Sequence, residues 1–478
     1  MSSRTILVLT GVALCACARA VPQPLDPTPT PGPAPAEATF DEGSLQGGSA
    51  DSLRDTARLA ASSGGDSSVS AAANSAVADA VPSLPGLPLD EYAGKDRVAF
   101  YLKRFSGEAH DHVSSMLSQG TKYDAMIREK LRAGGIPEDF TYLALIESGY
   151  DPDDYSSVGA VGMWQFMTST ARDVGLRVDW WVDERRDPVR ETSAAVKFLG
   201  NLRDQFGSLY LAAAAYNGGP GRVSRGLSHL ALDSDSSEPD DKFFALASGK
   251  SLRAETREYV PQLIAAALIG REPGRYGFTV DTLQPFVYDS VPAPSLTGLR
   301  AVALSCNTDV ATIGGMNGQI LRGMTPPDTA TVWLRVPRGC ADGFHDAFAA
   351  LDDSVRLGAA WRAVKKGETP ALVAKKSGIT VTTLRRYNPK LKTAAQDPIR
   401  SGTELLIPAL STVKAARDVP DPSIERYGVA VDNVYVVKKG DTLGKIAERN
   451  NTTVAALKRA NHLKGDVLQI GQKLRIRG

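Results

Sequence analysis

Apolar residues between about positions 90 and 280 recur with the period of an α-helix. Tyr123, Ile127 and Leu131 share one face of a predicted helix, and Gly134 and Gly135 end it. Further helices are predicted over 138–148, 168–174, 191–206, 209–216 and 255–269, with stops at Gly149, Gly175, Gly207, Gly218 and Gly270. Strand-like alternation is almost absent from this region. The pattern therefore predicts an all-α domain over 90–280.

After residue 280 the pattern changes to short strands and short helices, and it repeats along the chain. Six positions between Leu443 and Asn461 match positions in 299–317 at a constant offset of 144 residues. Five of these also match positions in 373–388 at an offset of 73 residues. Each copy ends in a predicted strand. The repeats predict three small α+β modules over 286–337, 361–408 and 433–478.

The first twenty residues have the pattern of a bacterial secretory signal. Arg4 precedes an apolar stretch over 5–14, which small residues follow. Cys17 after Ala16 resembles the lipobox of bacterial lipoproteins, in which the cysteine is acylated. The alternative is ordinary cleavage after Ala20, which gives an exported protein without a lipid. We expect a periplasmic lipoprotein that is anchored to the outer membrane through Cys17.

Residues 21–89 are rich in proline, serine and alanine and lack the apolar content of a core. Seven prolines between positions 22 and 35 favour an extended backbone. After an acylated Cys17, this segment would be a tether that holds the folded part away from the membrane. The alternative is a disordered leader without that role.

The remaining composition is that of a soluble globular protein, with 42% hydrophobic and 23% charged side chains among 478 residues. Lys and Arg number 55 against 54 Asp and Glu, so no basic field favours nucleic acid. Five histidines and four cysteines lack metal-ligand spacing, and we expect no metal and no organic cofactor. After Leu14 no apolar run reaches the roughly 18 residues of a membrane span. In an oxidising compartment, Cys306 and Cys340 would form one disulfide or stay as two thiols.

One acid, Glu147, has surroundings that suit catalysis. It lies in the last turn of an apolar predicted helix, beside Leu143 and Ile146 and before a glycine-rich loop. Such surroundings favour the neutral carboxyl and raise its pKa toward that of a general acid. The alternative is an exposed glutamate at a helix end. Two later segments favour the catalytic interpretation.

The first segment is the run 159–167, whose glycines allow the backbone to approach another surface and whose Gln165 offers an amide to a ligand. Thr168 is the predicted N-cap of the next helix. The second segment presents Tyr216 and Asn217 at a helix end. Each pattern by itself is typical of a structural turn.

Together, and in this order, these segments resemble the catalytic domain of glycoside hydrolase family 23. The signature of that family is Glu-Ser, then Gly-x-Met-Gln or a close variant, then Ala-Tyr-Asn, then a tyrosine in a later helix. The matching residues are Glu147, Ser148, Gly162, Met163, Trp164, Gln165, Ala215, Tyr216, Asn217 and Tyr259. Trp164 in the second motif, the acidic and basic run 183–188, and the Glu-Thr-x-x-Tyr-Val-Pro sequence around Tyr259 resemble the D branch of the membrane-bound lytic murein transglycosylases. The resemblance covers about residues 95–275.

The resemblance implies a lysozyme-like fold of the soluble-lytic-transglycosylase or goose type and a reaction that needs one carboxyl group. Glu147 would protonate the glycosidic oxygen that links N-acetylmuramic acid to N-acetylglucosamine in peptidoglycan. It would then take the proton of the C6 hydroxyl, which closes onto C1 as a 1,6-anhydro end. Tyr259 would hydrogen-bond Glu147, and Ser148 would position this acid or touch sugar. Met163 would line the cleft. Gln165, Tyr216 and Asn217 would bind the glycan near the scissile bond.

A hydrolase is the enzymatic alternative, because glycosidases usually use two carboxyl groups. The acids considered for the second group are Asp151, Asp153, Asp154, Asp173 and Glu184. Acids in the loop 151–154 are more often solvated turn residues. The alternative of a different class is a non-catalytic wall-binding scaffold lipoprotein. The intact Glu147, together with all four motifs, argues against it.

The last repeat resembles the LysM domain, which folds as strand–helix–helix–strand and binds glycans that contain N-acetylglucosamine. The resemblance lies in 435–443 and 470–474, and it implies sugar contact through Gly440, Asp441, Thr442, Leu443 and the loop of Asn461. The alternative role for these residues is a turn and a helix cap. The middle repeat keeps most of the pattern but has Pro370 at an apolar position. The first repeat lacks the Gly-Asp-Thr-Leu sequence and is a degenerate copy.

Charge also separates the repeats. Ten Lys and Arg stand against three Asp and Glu in 433–478 and again in 361–408, whereas 286–337 has three of each. Two basic modules would be attracted to an anionic wall polymer, although such charges often form only a solvated face. We expect a monomer whose partners are peptidoglycan glycan strands and polymers that contain N-acetylglucosamine.

Overall fold

The computed structural model describes residues 86–230 and 240–424, and residues 433–476 with gaps. The predicted signal, the Cys17 anchor and nearly all of the predicted tether lie outside the described residues. Leu87 and Leu89 are already buried, and the Leu87 amide donates a hydrogen bond of 2.8 Å to Asp139. The folded part therefore begins a few residues before the predicted boundary. Among the described helices, none is long and apolar enough to cross a membrane.

The described residues between 86 and 277 fold into α-helices that short turns connect. The helices are α1 (Leu89–Tyr92), α2 (Asp96–Ser106), α3 (His110–Thr121), α4 (Asp124–Ala133), α5 (Thr141–Ser148), α6 (Thr168–Asp173), α7 (Pro188–Phe206), α8 (Leu209–Gly218), α9 (Pro220–Leu230), α10 (Asp241–Ser248) and α11 (Ala254–Arg271). Single turns of 3-10 helix lie at Glu138–Phe140, Glu184–Arg186 and Pro273–Tyr276. In this described part of the chain the elements longer than an isolated bridge are all helical, which confirms the predicted fold class.

Helix α11 packs against α2, α5 and α8 and is buried along most of its 18 residues. Over 263–269 it is apolar on every face, as expected of a helix segment enclosed by others. The sequence predicts its end at Gly270, but the helix continues to Arg271. A Cβ atom at position 270 would lie 1.9 Å from the Tyr142 ring. The glycine therefore allows α11 to pack closely against α5.

Helix α5, which carries Glu147, starts later than predicted because residues 138–140 form a 3-10 turn. Gly149 ends the helix in the left-handed conformation, with φ of 63°. The Asp139 carboxylate accepts a hydrogen bond of 2.8 Å from Nε of Arg271. This ion pair ties the start of α5 to the end of α11.

The C-terminal part contains three two-stranded antiparallel sheets, one in each predicted repeat. The first repeat consists of β1 (Asp289–Pro294), α12 (Leu299–Ser305), α13 (Val310–Met316) and β2 (Thr331–Val336); the second of β3 (Ala359–Ala363), α16 (Pro370–Lys376), α17 (Val381–Tyr387) and β4 (Glu404–Pro408); and the third includes β5 (Asn433–Val436), α19 (Leu443–Arg449) and β6 (Lys473–Ile476). Between and after the first two repeats lie α14 (Ala341–Ala349), α15 (Asp353–Arg356) and α18 (Leu410–Ala415). The strand–helix–helix–strand order of the first two repeats confirms the predicted α+β fold class of these modules.

A buried asparagine joins the second helix of each of the first two repeats to the last strand. The Asn317 amide donates to Ile313 and Arg335 carbonyls at 2.8 and 2.7 Å and accepts from the Arg335 amide at 2.8 Å. Asn388 makes the same three contacts with Leu384 and Leu406, each at 2.8 Å. The recurrence of an asparagine at the same position of both repeats therefore has a structural cause.

The first repeat packs directly against the segment that precedes α7. Val182 pairs with Ile320 in an isolated bridge and belongs to the apolar core of the repeat. The Arg335 guanidinium donates two hydrogen bonds of 2.7 and 2.8 Å to the Asp187 carboxylate, which also caps α7. A disulfide joins Cys306 after α12 to Cys340 before α14. This degenerate repeat is therefore built onto the helical domain.

The segment after the second repeat returns to the helical domain. Nη1 of Arg417 donates a hydrogen bond of 2.6 Å to the Asp153 carboxylate. The Thr168 hydroxyl donates to the Pro422 carbonyl at 3.0 Å. The prediction that Thr168 is the N-cap of α6 is wrong, since Met167 holds that position and Thr168 is the first helical residue. Its hydroxyl is used for this long-range contact instead.

Candidate active site

Glu147 lies in the last turn of α5 with 6% of its surface exposed. The Tyr259 hydroxyl, from α11, donates a short hydrogen bond to its carboxylate. Burial raises the pKa of Glu147 to about 7; the Tyr259 hydrogen bond opposes this rise, and the charges of Glu255 and Asp154 add to it. A carboxyl group of this pKa can both give and take a proton near neutral pH.

Tyr259 is itself enclosed, with 6% of its surface exposed. Burial and the nearby Glu147 charge raise the pKa of its hydroxyl well above the ordinary value. The hydroxyl therefore keeps its proton and acts as a fixed donor to the acid. The predicted proximity of Tyr259 and Glu147 is present in the structure.

The glycine-containing loop 159–167 folds against the start of α7. A Cβ atom at Gly162, which has φ of 91°, would lie 1.9 Å from the Arg185 carbonyl oxygen and 2.4 Å from the Glu191 carboxylate. Glycine is therefore required here both for its φ and for the space. Gln165, also at positive φ (52°), donates its side-chain amide to the Gly162 carbonyl at 2.8 Å and is 9% exposed.

Two charged residues that the sequence analysis did not single out hold this loop. The buried Glu191 carboxylate accepts from the backbone amides of Met163 and Trp164 at 2.8 and 3.0 Å. The buried Arg185 guanidinium donates to the carbonyls of Gly159 and Phe166 at 3.2 and 3.0 Å. A glutamate on the apolar face of the predicted helix, in line with Ala195 and Leu199, is the signal that would have found Glu191.

Ser148 and Met163 meet where α5 ends. The Ser148 hydroxyl donates to the Met163 carbonyl at 2.9 Å and accepts from the Asp151 amide at 3.2 Å. Ser148, which directly follows Glu147, thus joins the end of α5 to the loop 159–167. The Met163 side chain is fully buried in the helical core. Its contact with substrate stays a prediction, and the structure gives it a packing role.

Tyr216 and Asn217 lie near the end of α8, at the side of the same loop. The Tyr216 hydroxyl donates to the Trp164 carbonyl at 2.7 Å. The Asn217 side-chain oxygen accepts from Thr256 at 2.8 Å, and its amide nitrogen lies 3.4 Å from the Glu255 carboxylate. The orientation of this amide is therefore fixed by the first turn of α11.

Most acids considered as a second catalytic carboxyl are exposed or paired. Asp173 is exposed, Asp151 accepts from the Asp153 amide, Asp153 binds Arg417, and Glu184 accepts from the Arg177 amide and binds Arg190. Asp154 remains in the electrostatic field of Glu147, together with Glu255, which the sequence analysis did not consider. In the described part of the chain, no three His, Cys, Asp or Glu side chains are grouped as a metal site requires.

Four of the five predicted sugar-binding residues of the third repeat, 440–443, form its first turn and the start of α19, and Asn461 follows later in the chain. Asp441 accepts from the Tyr435 hydroxyl at 2.7 Å and the Lys438 amide at 2.8 Å. Thr442 accepts from the Lys445 amide at 3.2 Å, and Gly440 has φ of 85°. Leu443 is buried, and Asn461 donates to the Leu457 carbonyl at 2.9 Å. These contacts are structural, and sugar binding by the five residues stays a prediction.

Comparisons with known families and proteins agree with this arrangement. The model of the transglycosylase SLT domain matches residues 124–231, and that of the LysM domain matches residues 363–408 and 435–477. The chain therefore carries a lytic transglycosylase domain that LysM domains follow. The degenerate first repeat lies between the matched ranges.

Individual relatives include the membrane-bound lytic murein transglycosylase D of Escherichia coli strain K12. It is 28% identical over 365 residues, which cover 74% of this chain and 75% of the relative. The peptidoglycan transglycosylase gp16 of Escherichia phage T7 is 32% identical over 148 residues, 30% of this chain and 10% of the relative. The crystal structure of the 70 kDa soluble lytic transglycosylase SLT70 from Escherichia coli aligns with 25% identity and a TM-score of 0.29, covering 40% of this chain and 30% of that chain.

Proposed function

We propose that this protein cleaves the β-1,4 bond between N-acetylmuramic acid and N-acetylglucosamine in peptidoglycan and leaves 1,6-anhydro ends. The observation that carries the proposal is one buried carboxyl group, Glu147, whose pKa lies at about 7 and whose partner is a tyrosine hydroxyl. One group with this pKa suits both proton transfers of a lyase. The transglycosylase SLT domain supports the same reaction class.

In the first step, the protonated Glu147 gives its proton to the glycosidic oxygen, and the bond between this oxygen and C1 of the muramic acid breaks. The N-acetyl group of the substrate stabilises the cationic centre at C1. The ionised Glu147 is stabilised by the Tyr259 hydroxyl, because a hydrogen bond to a carboxylate favours the charged form.

In the second step, Glu147 takes the proton of the C6 hydroxyl, and the O6 atom forms a bond with C1. The carboxyl group returns to its protonated state and no water is consumed. Gln165 and Asn217 bind the sugars next to the scissile bond in this proposal. Their amides are held by Gly162 and Thr256, which supports binding in one fixed orientation.

The proposal is tested by mass spectrometry of the fragments that the full-length protein releases from purified peptidoglycan, with Glu147→Gln as the control. Anhydromuramoyl ends that are absent with the variant are the expected result. Reducing ends would show a muramidase hydrolase instead, with Asp154 or Glu255 as the group that activates water. Wall binding without any fragments would leave a non-catalytic scaffold.

The two matched LysM domains and their basic charge support binding to glycans of the cell wall. We expect the full-length monomer to sediment with insoluble peptidoglycan. Paired changes in the third repeat, Asp441→Ala and Thr442→Ala, should lower the bound fraction while the products on soluble glycans stay the same. An unchanged bound fraction would remove these residues from the sugar-binding site.

We propose that Cys17 is acylated and that the protein lies at the outer membrane, facing the periplasm; the Ala16-Cys17 sequence supports this. Cells that express the wild-type chain should incorporate a labelled fatty acid into the protein, and cells that express Cys17→Ala should not. If both proteins carry the label, the lipid is attached at another residue. If neither protein carries it, the exported form without a lipid is favoured.

A further inference from the structure

The Met163–Trp164 dipeptide is the centre of the hydrogen-bond network around Glu147. Its two N–H groups donate to the Glu191 carboxylate at 2.8 and 3.0 Å. Its two carbonyl groups accept from Ser148 at 2.9 Å and from Tyr216 at 2.7 Å. All four backbone groups of this dipeptide are therefore used, and one buried carboxylate holds both donors.

Both oxygens of Glu191 are engaged, one with each amide. The side chain is fully buried in the first turn of α7, where the helix dipole favours a negative charge. Gly162 lacks the Cβ atom that would lie 2.4 Å from the carboxylate. The loop and the glutamate thus fit one another without room for a water molecule at that contact.

Two charged groups face Glu191 from the preceding 3-10 turn. Burial has the largest effect on the pKa of Glu191 and raises it well above the ordinary value. The hydrogen bonds from the Trp164 and Met163 amides oppose this rise, while the Asp183 charge adds to it and the Arg185 charge opposes it. Arg185 is already paired with Asp183 at 2.8 Å. The amides of the loop are therefore the direct hydrogen-bond partners of the Glu191 carboxylate in the described structure.

We propose that Glu191 is a positioning residue that fixes the Met163–Trp164 dipeptide and, through Ser148, the catalytic Glu147. This role rests on the proposed function of Glu147. Ser148 directly follows the acid, so a shift of the Met163 carbonyl changes the end of α5. Gln165 directly follows Trp164, so the same shift moves the predicted glycan contact.

The test is Glu191→Gln, which is isosteric but has only one acceptor atom. Its NH2 group would face a backbone N–H, so one of the two amides loses its partner. We expect kcat on soluble glycan strands to fall at least tenfold, and KM to rise by a smaller factor because Gln165 moves with the dipeptide. Water that reaches Glu147 would lower its pKa from about 7 toward its ordinary value. Since the first step needs the protonated acid, the alkaline limb of the pH profile should move to lower pH.

Two further variants separate positioning from stability. Asp139→Asn removes a different buried carboxylate, which accepts the backbone amide of Leu87 and makes no contact with the loop 159–167 among the hydrogen bonds described. It should lower Tm and leave kcat and the pH profile unchanged. Glu191→Asp keeps two acceptor oxygens and should therefore have a higher kcat than Glu191→Gln. It can be measured even if Glu191→Gln does not fold.

Wild-type kcat and an unshifted pH profile in Glu191→Gln would overturn the proposal. A loss of activity that only follows the unfolded fraction would overturn it as well, as would equal kcat for Glu191→Asp and Glu191→Gln when both are folded. Wild-type protein is assayed in parallel. If it releases no anhydromuramoyl products, the proposed function fails rather than the role of Glu191.

Discussion

At the scale of single residues, Glu147 has to satisfy two opposing demands. In the proposed reaction it must be protonated to release the leaving sugar and ionised to accept the proton of the C6 hydroxyl. Burial raises its pKa to about 7, and the Tyr259 hydrogen bond favours the ionised form. The two effects leave both states accessible near neutral pH.

This environment has a cost in stability that depends on pH. The folded pKa of Glu147 lies above the ordinary value of 4.5, so the folded state binds more protons than the unfolded state between these values. Stability is therefore lost as the pH rises from about 4.5 through 7. Glu147→Gln removes this loss and should raise the free energy of unfolding by on the order of 3 kcal/mol at pH 8, but not at pH 4.

Thermal unfolding of both proteins at the two pH values measures this difference. An equal change in Tm at pH 4 and pH 8 would contradict the raised pKa. Asp139→Asn serves as the comparison, because Asp139 is paired with Arg271 and removing its charge should not stabilise the protein at either pH.

Some residues of the site could be predicted from the sequence and others could not. The pairing of Glu147 with Tyr259 follows from a family signature whose motifs are 112 residues apart along the chain. Glu191 belongs to no such signature, and Arg185 lies in the run 183–188, whose resemblance assigns it no role. Their roles depend on a loop that folds back onto α7, and helical periodicity alone does not show this contact.

At the scale of elements, the loop 159–167 contains a glycine, Gly162, that a larger residue cannot replace without a clash. In Gly162→Ala, the new Cβ would overlap the Arg185 carbonyl and crowd Glu191. Together with the positive φ, this should destabilise the protein by about 3 kcal/mol and lower activity with it.

Gly175→Ala is the matched control for this substitution. Gly175 also has positive φ, at 98°, but no heavy atom lies within 4 Å of its added Cβ. Only the backbone cost of about 1–2 kcal/mol is expected. Chemical denaturation of both variants gives the two values; equal destabilisation would mean that the overlap at Gly162 is relieved by movement of the loop.

The element boundaries show where the sequence pattern fails. Gly207 ends α7 in the left-handed conformation as predicted, but Gly270 lies inside α11. A glycine that allows close packing and a glycine that ends a helix look alike in the sequence. The Tyr142 ring that distinguishes them lies on another helix. The strand–helix–helix–strand repeats were easier to predict, because three copies reveal the same pattern.

At the scale of the whole molecule, the degenerate first repeat packs directly against the helical domain. Its core includes Val182 of the helical domain, and Arg335 neutralises the fully buried Asp187. The sequence predicts the repeat but not this docking, because the partners lie 148 residues apart.

Arg335→Ala should therefore destabilise the helical domain and not only the repeat. It removes both hydrogen bonds that a guanidinium makes to the buried Asp187 carboxylate and leaves only the more distant Arg190, at 3.8 Å, at a cost of about 3 kcal/mol. Arg300→Ala, at an exposed position of the same repeat, should leave Tm nearly unchanged. Tm of the full-length variants is the measurement, and a wild-type value for Arg335→Ala would show that the first repeat does not support the domain.

The central claim is that Glu147 transfers the proton within the substrate and that water takes no part. Digestion of peptidoglycan in water enriched in oxygen-18, followed by mass spectrometry, tests this most directly. The account predicts anhydromuramoyl fragments that carry no oxygen-18 at C1. Fragments with reducing ends that contain one oxygen-18 atom would contradict it, since that atom must come from a water molecule that attacked C1.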